Sequence, residues 1–188
     1  MKNLLIYLES GKDEAQEVRQ LMEDVKPFEA LIATGNEAVD IILSEKLKLC
    51  QQEEICCVPY VDGRLLAFIS PLDVCTLLGN ALDNAIESCR MIPEAENRQI
   101  SIKTNRKSGC VILVLRNTFG AAPQIRNGRP VSIKRDKENH GFGLKSIRYV
   151  AEKYSGEAIC RVEGQEFVLT VLFPECAQRQ PDSDTDAK

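Results

Sequence analysis

The stretch from Ser70 to Arg90 constrains the fold most, because it predicts one long apolar helix with a defined start. Ser70 suits the N-cap, Pro71 suits the first helical position, and Asp73 brings an acidic side chain into the first turn. The residues that follow are strongly apolar as far as Arg90. We therefore predict a helix over residues 71–90.

Strand and helix patterns alternate around this helix. Apolar runs and apolar–polar alternation predict strands at residues 55–61, 99–104, 110–115, 158–162 and 167–173, and an apolar face predicts a helix at 143–154. Residues 119–140 lack periodicity, so they predict a loop of about 20 residues, long enough to suggest a functional lid. The polar, acidic tail at 177–188 predicts disorder.

The first 50 residues carry apolar side chains at a spacing of seven. The repeat consists of Val18, Val25, Ile32 and Val39. Such a narrow seam suits pairing between helices. We expect one helix over residues 12–50, kinked at Pro27, as part of a helical dimerisation hairpin over residues 1–50. The alternative is a helix that packs on its own domain.

The composition excludes several classes of function. With 24 basic and 28 acidic side chains the formal net charge is −4, which excludes a general phosphate-backbone binder, so we expect no nucleic-acid partner. No apolar run approaches the roughly 20 residues of a membrane span, and the N-terminus becomes charged too soon for a signal peptide. We therefore expect no direct membrane contact in this segment.

The cysteine pattern indicates the compartment. The chain has eight cysteines but one histidine and no C-x-x-C spacing, which excludes zinc-finger arrangements. Most of these cysteines lie among apolar neighbours, where a free thiol behaves as a small hydrophobic side chain. We expect reduced core cysteines and a cytoplasmic location.

Two asparagines on the helix at 71–90 are the first chemical signal. Asn80 and Asn84 are four residues apart and therefore share one helix face. Asparagine is a mediocre helix former, so a stacked pair suggests a function. Their amide oxygens suit a hard cation such as Mg²⁺, which keeps several waters and bridges to substrate phosphates. The alternative is a solvated helix edge.

The second signal is the stretch His140-Gly141-Phe142-Gly143-Leu144-Lys145, in which two glycines open a helix. Backbone donors and the positive end of the helix dipole suit an anion there. The stretch is not the dinucleotide-binding fingerprint, because Ser146 stands where the third glycine belongs. A phosphate-facing or hinge role for His140 is favoured over a role as catalytic base, since no partner carboxylate is identified.

The order of these parts resembles the GHKL ATP-binding fold that gyrases and histidine kinases share. Residues 78–87, LGNALDNAIE, resemble its N box, and residues 140–147, HGFGLKSI, resemble its G2 box. The lead-in at 134–141 and the segments at 34–36 and 44–47 further resemble sensor histidine kinases of the Agr-like, peptide quorum-sensing branch. The resemblance covers about residues 1–174. It implies an α+β sandwich of helices on a mixed sheet, with domains at 1–50 and 51–176 and the tail at 177–188.

The resemblance also implies roles for individual residues in binding ATP and Mg²⁺. Asn84 matches the magnesium ligand. Asn80 occupies the catalytic position where hydrolytic relatives place a glutamate that activates water, and an amide cannot act as that base, so the site favours phosphoryl transfer. The remaining nucleotide-binding positions are Asn117, Lys134, His140, Gly141, Gly143, Leu144 and Lys145. Asn117 stands where the family has an aspartate that binds the adenine amino group, and only one glycine, Gly120, follows it.

The parent activity implied is ATP-dependent histidine autophosphorylation followed by transfer to a response-regulator aspartate. Expected partners are a second copy, through the helical hairpin, and a response regulator. The parent would carry a membrane sensor upstream. Met1-Lys2-Asn3 resembles the end of the branch's phosphoacceptor motif, so we expect the acceptor histidine to be absent from this chain. The alternatives are an anti-sigma-type protein serine kinase and a non-enzymatic, nucleotide-sensing dimerisation module.

Overall fold

A computed structural model of the chain describes residues 32–120, 124–126, 129–131 and 142–175. Its helices are α1 (Glu37–Gln52), α2 (Pro71–Arg90) and α3 (Phe142–Lys153). Its strands are β1 (Cys56–Tyr60), β2 (Gln99–Lys107), β3 (Cys110–Thr118), β4 (Gln124–Arg126), β5 (Arg129–Val131), β6 (Glu157–Glu163) and β7 (Glu166–Pro174). The predicted strands and the two later helices are confirmed, most of them longer by a few residues.

Five strands form a mixed sheet in the order β1-β2-β3-β7-β6. β1 runs parallel to β2, and the other neighbours are antiparallel. β3 alternates strictly, so that Val111, Leu113, Leu115 and Asn117 are buried on one face. That face and the apolar faces of α1, α2 and α3 share one hydrophobic core. The predicted α+β class is confirmed.

The prediction of one helix over residues 12–50 is wrong at residues 32–36, which are not helical. Gly35 has φ +84°, which a continuing right-handed helix does not allow. Asn36 has extended backbone and caps α1, because its side chain accepts hydrogen bonds from the N–H groups of Ala38 and Val39. A new helix therefore begins at Glu37.

Helix α1 packs into the same core as α2. Val39 and Leu43 are fully buried, and Cys50 at the far end is 1% exposed. For helix α1 the alternative interpretation therefore holds, because its apolar residues pack on its own domain. The helical hairpin itself stays a prediction, because residues 1–31 lie outside the described part of the chain.

The predicted loop at 119–140 contains two short strands in its described part. β4 and β5 pair antiparallel as a separate hairpin, from Gln124 opposite Val131 to Arg126 opposite Arg129. The expectation of a loop without strands is wrong there. The tail at 177–188 lies outside the described residues, so its disorder stays a prediction.

The seven cysteines among the described residues are free thiols. Cys89 and Cys160 are buried in the core, as the apolar surroundings in the sequence predict, and Cys50 is buried there as well. None of the helices in the described ranges is long and apolar enough to cross a membrane.

One buried carboxylate joins the start of α2 to the end of α3. Asp73 accepts hydrogen bonds from the Ser70 hydroxyl at 2.6 Å, the Tyr154 hydroxyl at 2.7 Å and the Lys153 ammonium at 2.6 Å. The Lys153 ammonium and the two hydroxyls lower the pKa of Asp73 to about 2, although burial opposes this shift. Asp73, which the sequence predicts as an acidic residue in the first turn of α2, therefore also holds the end of α3 against α2.

We predict that Asp73→Asn lowers the free energy of unfolding by about 2 kcal/mol at neutral pH, because the amide loses the ion pair and brings its own donor among three others. The native pKa of Asp73 lies below the unfolded value, so its contribution is present above about pH 4 and is lost as the pH falls towards 2. Urea unfolding between pH 2 and 7 should show this slope in the native sequence and a flatter one in the variant. The exposed Glu157→Gln is the control. Equal stability of Asp73→Asn and Glu157→Gln at pH 7 would contradict the role.

Candidate functional site

Asn80 and Asn84 on α2 face Gly143 at the start of α3. A Cβ atom placed on Gly143 would lie 3.2 Å from Nδ2 of Asn84 and 3.3 Å from Oδ1 of Asn80. These distances are tighter than ordinary van der Waals contact. The lack of a side chain at residue 143 therefore lets the start of α3 approach both amides closely. The fold brings together these three residues, which are 59 positions apart in the sequence from Asn84 to Gly143.

The two amides differ in how their donors are used. Asn80 donates from Nδ2 to the carbonyl oxygen of Thr76 at 2.7 Å, so its oxygen is the atom that faces Gly143. Nδ2 of Asn84 is buried and has no hydrogen-bond acceptor among the described residues. A buried polar group without a partner costs about 1–3 kcal/mol. A bound oxygen-rich ligand that supplied an acceptor here would recover that energy.

The donor set fits Mg²⁺ held together with phosphate. Mg²⁺ takes oxygen ligands, keeps several waters, and commonly needs only one or two protein ligands beside substrate phosphates. Asn84 offers an amide oxygen beside Gly143. The described residues contain no group of three or more His, Cys, Asp or Glu arranged to hold a metal by themselves. The site therefore suits an ion that arrives with an anionic ligand.

An ion pair holds α2 next to this site, and the sequence reasoning missed it. The Lys46 ammonium on α1 lies 2.9 Å from Oδ1 of Asp83, the neighbour of Asn84. The Lys46 side chain is only 12% exposed. Burial alone would lower the pKa of Lys46, but hydrogen bonds with Asp83 and Glu45 raise it. No local pattern joins residues 37 positions apart, so only the folded chain shows this contact.

A groove of about 350 Å³ runs between α2 and α3, next to the asparagine pair. Lys145 and Tyr149 line it from α3, and Asp73 and Thr76 line it from α2. Thr76 is also the residue whose carbonyl holds Asn80. Lys145 is exposed and follows Gly143 by two residues, so the first turn of α3 carries a positive charge.

Leu144 and Ile147, two apolar residues near the start of α3, lie on the core side of this helix. Ile147 is fully buried in the hydrophobic core, and Leu144 is partly buried against it. Core packing therefore accounts for Ile147. The role of Leu144 as a wall of the nucleotide pocket stays a prediction.

Asn117 lies on the buried face of β3 and is 2% exposed. Its Nδ2 donates to the carbonyl oxygen of Thr118 at 2.8 Å. Gly120 follows at a close approach to the end of α2, since a Cβ there would clash with the carbonyl oxygen of Met91. Any side chain at residue 120 would force this backbone contact apart. Close packing against the end of α2 therefore explains why residue 120, which follows Asn117 on the chain, is a glycine.

Three further predicted site residues lie outside the described part of the chain. These are Lys134, His140 and Gly141. Their roles stay predictions, and the geometry above rests on Asn80, Asn84 and Gly143.

Comparison with known proteins identifies the family. A family model described as the GHKL domain matches residues 69–174, which is more than half of the chain, so the chain belongs to the GHKL domain family. GHKL domains bind ATP, generally with Mg²⁺. No curated protein sequence matches the chain.

Solved structures agree on the fold. The catalytic domain of histidine kinase ThkA, in a nucleotide-free orthorhombic form, is 17% identical with a TM-score of 0.59, over 78% of this chain and 96% of that chain. A second nucleotide-free form of the same domain is 16% identical with a TM-score of 0.57, over 74% and 92%. The described residues thus have the fold of a histidine kinase catalytic domain. Membership of the Agr-like branch stays a prediction.

We predict that Gly143→Ala lowers the affinity for a magnesium–adenine nucleotide by about tenfold or more without lowering stability. The added methyl would press on both asparagine amides, whereas alanine in the first turn of α3 favours the helix. Gly79→Ala is the matched control, because no atom lies within 4 Å of its new Cβ and it too gains helix propensity. Calorimetric titration and urea unfolding of both variants test this. Equal nucleotide affinities of the Gly143→Ala and Gly79→Ala variants would show that the close approach at Gly143 does not contribute to binding.

Proposed function

We propose that the chain is the ATP-binding catalytic region of a two-component sensor histidine kinase of the Agr-like branch. Its reaction would be Mg²⁺-dependent phosphoryl transfer to a histidine and then to a response-regulator aspartate. Family membership and the kinase-type fold support the proposal. The observation on which the proposal rests is the pair of asparagine amides that face Gly143. The buried Nδ2 donor of Asn84 has no acceptor among the described residues, and a bound phosphate would supply one.

The identity of Asn80 favours transfer over hydrolysis. A general base that activates water must accept a proton, and a neutral amide does not do so near neutral pH. The Asn80 nitrogen donates to the Thr76 carbonyl, which leaves the Asn80 oxygen as a hydrogen-bond acceptor on the side of Gly143. Asn80 therefore positions groups at the phosphates and leaves attacking water unactivated. The phosphoryl group is then available to a protein nucleophile.

The remaining groups orient and neutralise the phosphates. Asn84 would supply the protein oxygen to Mg²⁺, and the ion, when bound, spreads the negative charge of the phosphates. Gly143, which has no side chain, would let the phosphates approach the backbone at the start of α3 beside the two amides. Lys145 adds a positive charge at the same end of α3. Catalysis of this kind consists mostly of positioning and electrostatic stabilisation.

The adenine end would lie at Asn117. Its amide nitrogen is engaged by the Thr118 carbonyl, so the amide oxygen is its remaining polar atom. An oxygen acceptor suits the 6-amino group of adenine and opposes the 6-oxo group of guanine. An asparagine at this position can therefore accept a hydrogen bond from the adenine amino group, as an aspartate would.

We predict that Asn84→Ala abolishes the gain in nucleotide affinity that Mg²⁺ gives, about tenfold or more, while the fold stays intact. The reason is the loss of the one amide oxygen assigned to the ion. Calorimetric titration with a non-hydrolysable ATP analogue, with and without Mg²⁺, measures the gain. Asn105→Ala, on an exposed part of β2, is the control. An unchanged magnesium dependence in Asn84→Ala would overturn the ligand assignment.

Transfer is tested separately with labelled ATP and Mg²⁺. The chain is incubated with a dimerisation hairpin that carries a phosphoacceptor histidine, and we expect acid-labile, base-stable label on the hairpin. Asn80→Ala should lower the rate of labelling by about tenfold or more, since it removes a group that positions the phosphates. Steady release of phosphate without labelling would indicate a hydrolase. Binding without transfer would favour a nucleotide-sensing module, and acid-stable label on a serine would favour the serine kinase.

A further inference from the structure

Three cysteines meet where the ends of α1 and α2 pack against β1, on elements the nucleotide chemistry does not use. Cys50 lies in the last turn of α1 and is 1% exposed, and Cys89 lies in the last turn of α2 and is fully buried. Cys57 lies on the edge strand β1 and is partly buried against the same core. Three thiols from three separate elements are therefore gathered at one end of the helix layer.

The turn between α1 and β1 points two of these thiols at each other. The N–H of Ile55 donates to the carbonyl oxygen of Cys50 at 2.8 Å, across a reversal in which Glu54 has φ +54°. Two residues later Cys57 pairs with Ile100 of β2, whose side chain lies in the core. Cys57 therefore faces the core side of the sheet, where the Cys50 sulfur lies. Each thiol shifts the pKa of the other, as expected for two sulfur atoms on the same side of the sheet at the end of α1.

The other nearby cysteines are placed differently. Cys89 has its sulfur 3.5 Å from the carbonyl oxygen of Thr118 and 3.6 Å from that of Gln99, so its S–H is directed to the backbone. Cys56 is exposed and, by the alternation of β1, points to the opposite face from Cys57. The close pair is therefore Cys50 with Cys57.

The surroundings shift the pKa values of Cys50 and Cys57 in opposite directions. The hydrogen bond from Cys57 lowers the pKa of Cys50, and the positive charge of Arg90 adds to this effect. The same hydrogen bond and burial raise the pKa of Cys57. Cys50 is therefore the more acidic thiol of the pair and the better nucleophile.

We propose that Cys50 and Cys57 form an oxidisable dithiol, which a small peroxide converts into an intramolecular disulfide. A peroxide reaches the pair from the side of Cys57, the member that is partly open to solvent. The Cys50 thiolate attacks one peroxide oxygen, breaks the O–O bond and becomes a sulfenic acid, with hydroxide released. The Cys57 sulfur then attacks the Cys50 sulfur, and its proton leaves with the second hydroxide as water. Two thiols are oxidised and one hydrogen peroxide is reduced to two waters.

The experiment maps disulfides in the full chain after a brief treatment with hydrogen peroxide. Trypsin releases residues 49–64 as one peptide that contains Cys50, Cys56 and Cys57. A second protease that cleaves after Glu53 and Glu54 separates Cys50 from the other two, so a disulfide keeps the two fragments linked. The linked product is 2 Da lighter than the sum of the reduced fragments.

Variants assign the bridge. Cys50→Ser and Cys57→Ser should each abolish the linked fragments, whereas Cys56→Ser should keep them. Cys160→Ser, at a buried thiol on β6, is the matched control and should also keep them. In the native sequence the pair should lose its thiols about tenfold faster than Cys160 is modified, because Cys50 has the lowered pKa. Urea unfolding of each variant shows that it is folded.

The outcomes separate clearly. Linked fragments that survive Cys56→Ser and disappear in Cys57→Ser support the proposal. Linkage that depends on Cys56, linkage only after unfolding in urea, or peroxide treatment that leaves both thiols free would overturn it. The result does not depend on nucleotide binding, so it stands or falls separately from the proposed kinase function.

Discussion

The packing of α2 against α3 is the constraint on which the rest of the structure depends. Asp73 fastens the start of α2 to Lys153 near the end of α3, and Gly143 at the start of α3 meets Asn84 further along α2. From residue 73 to 84 a helix advances about 16 Å, and from 143 to 153 about 15 Å. Two contacts at matching spacings require the helices to run antiparallel side by side. The carboxylate at one end thus sets the position of the glycine at the other.

The sequence predicts the local elements well because their signals are local. Ser70 and Pro71 define the start of α2, and the alternation of β3 defines its buried face. The same local reasoning fails at residues 32–36. The spacing of seven predicts a continuous helix there, whereas Gly35 has positive φ and Asn36 caps a helix that begins at Glu37. Ile32 and Val39, the two residues of the repeat in the described part of the chain, pack in the core of the same domain.

The residues of the candidate site likewise fall into those that the sequence predicts and those that only the folded chain reveals. Asn80, Asn84 and Gly143 can be found from sequence because each belongs to a motif with a physical reason. Lys46 and Asp83 cannot, because their pairing depends on where α1 crosses α2. The sequence predicts Asp73 only as an acidic residue in the first turn of α2, yet its hydrogen bonds show that it fastens two helices. Motifs therefore predict the residues at the ligand, and tertiary contacts supply those that hold the motifs in place.

Helix α1 connects the two sites that we propose. Lys46 on this helix holds Asp83, the neighbour of Asn84, and Cys50 lies about one turn further along. A disulfide from Cys50 to Cys57 would tie the end of α1 to the edge strand and restrict the turn at 53–55 between them. Because that turn already carries a backbone hydrogen bond, the bridge would reinforce the native arrangement of α1. Oxidation would then stiffen the helix that positions Asp83, while the amides that face Gly143 keep their places.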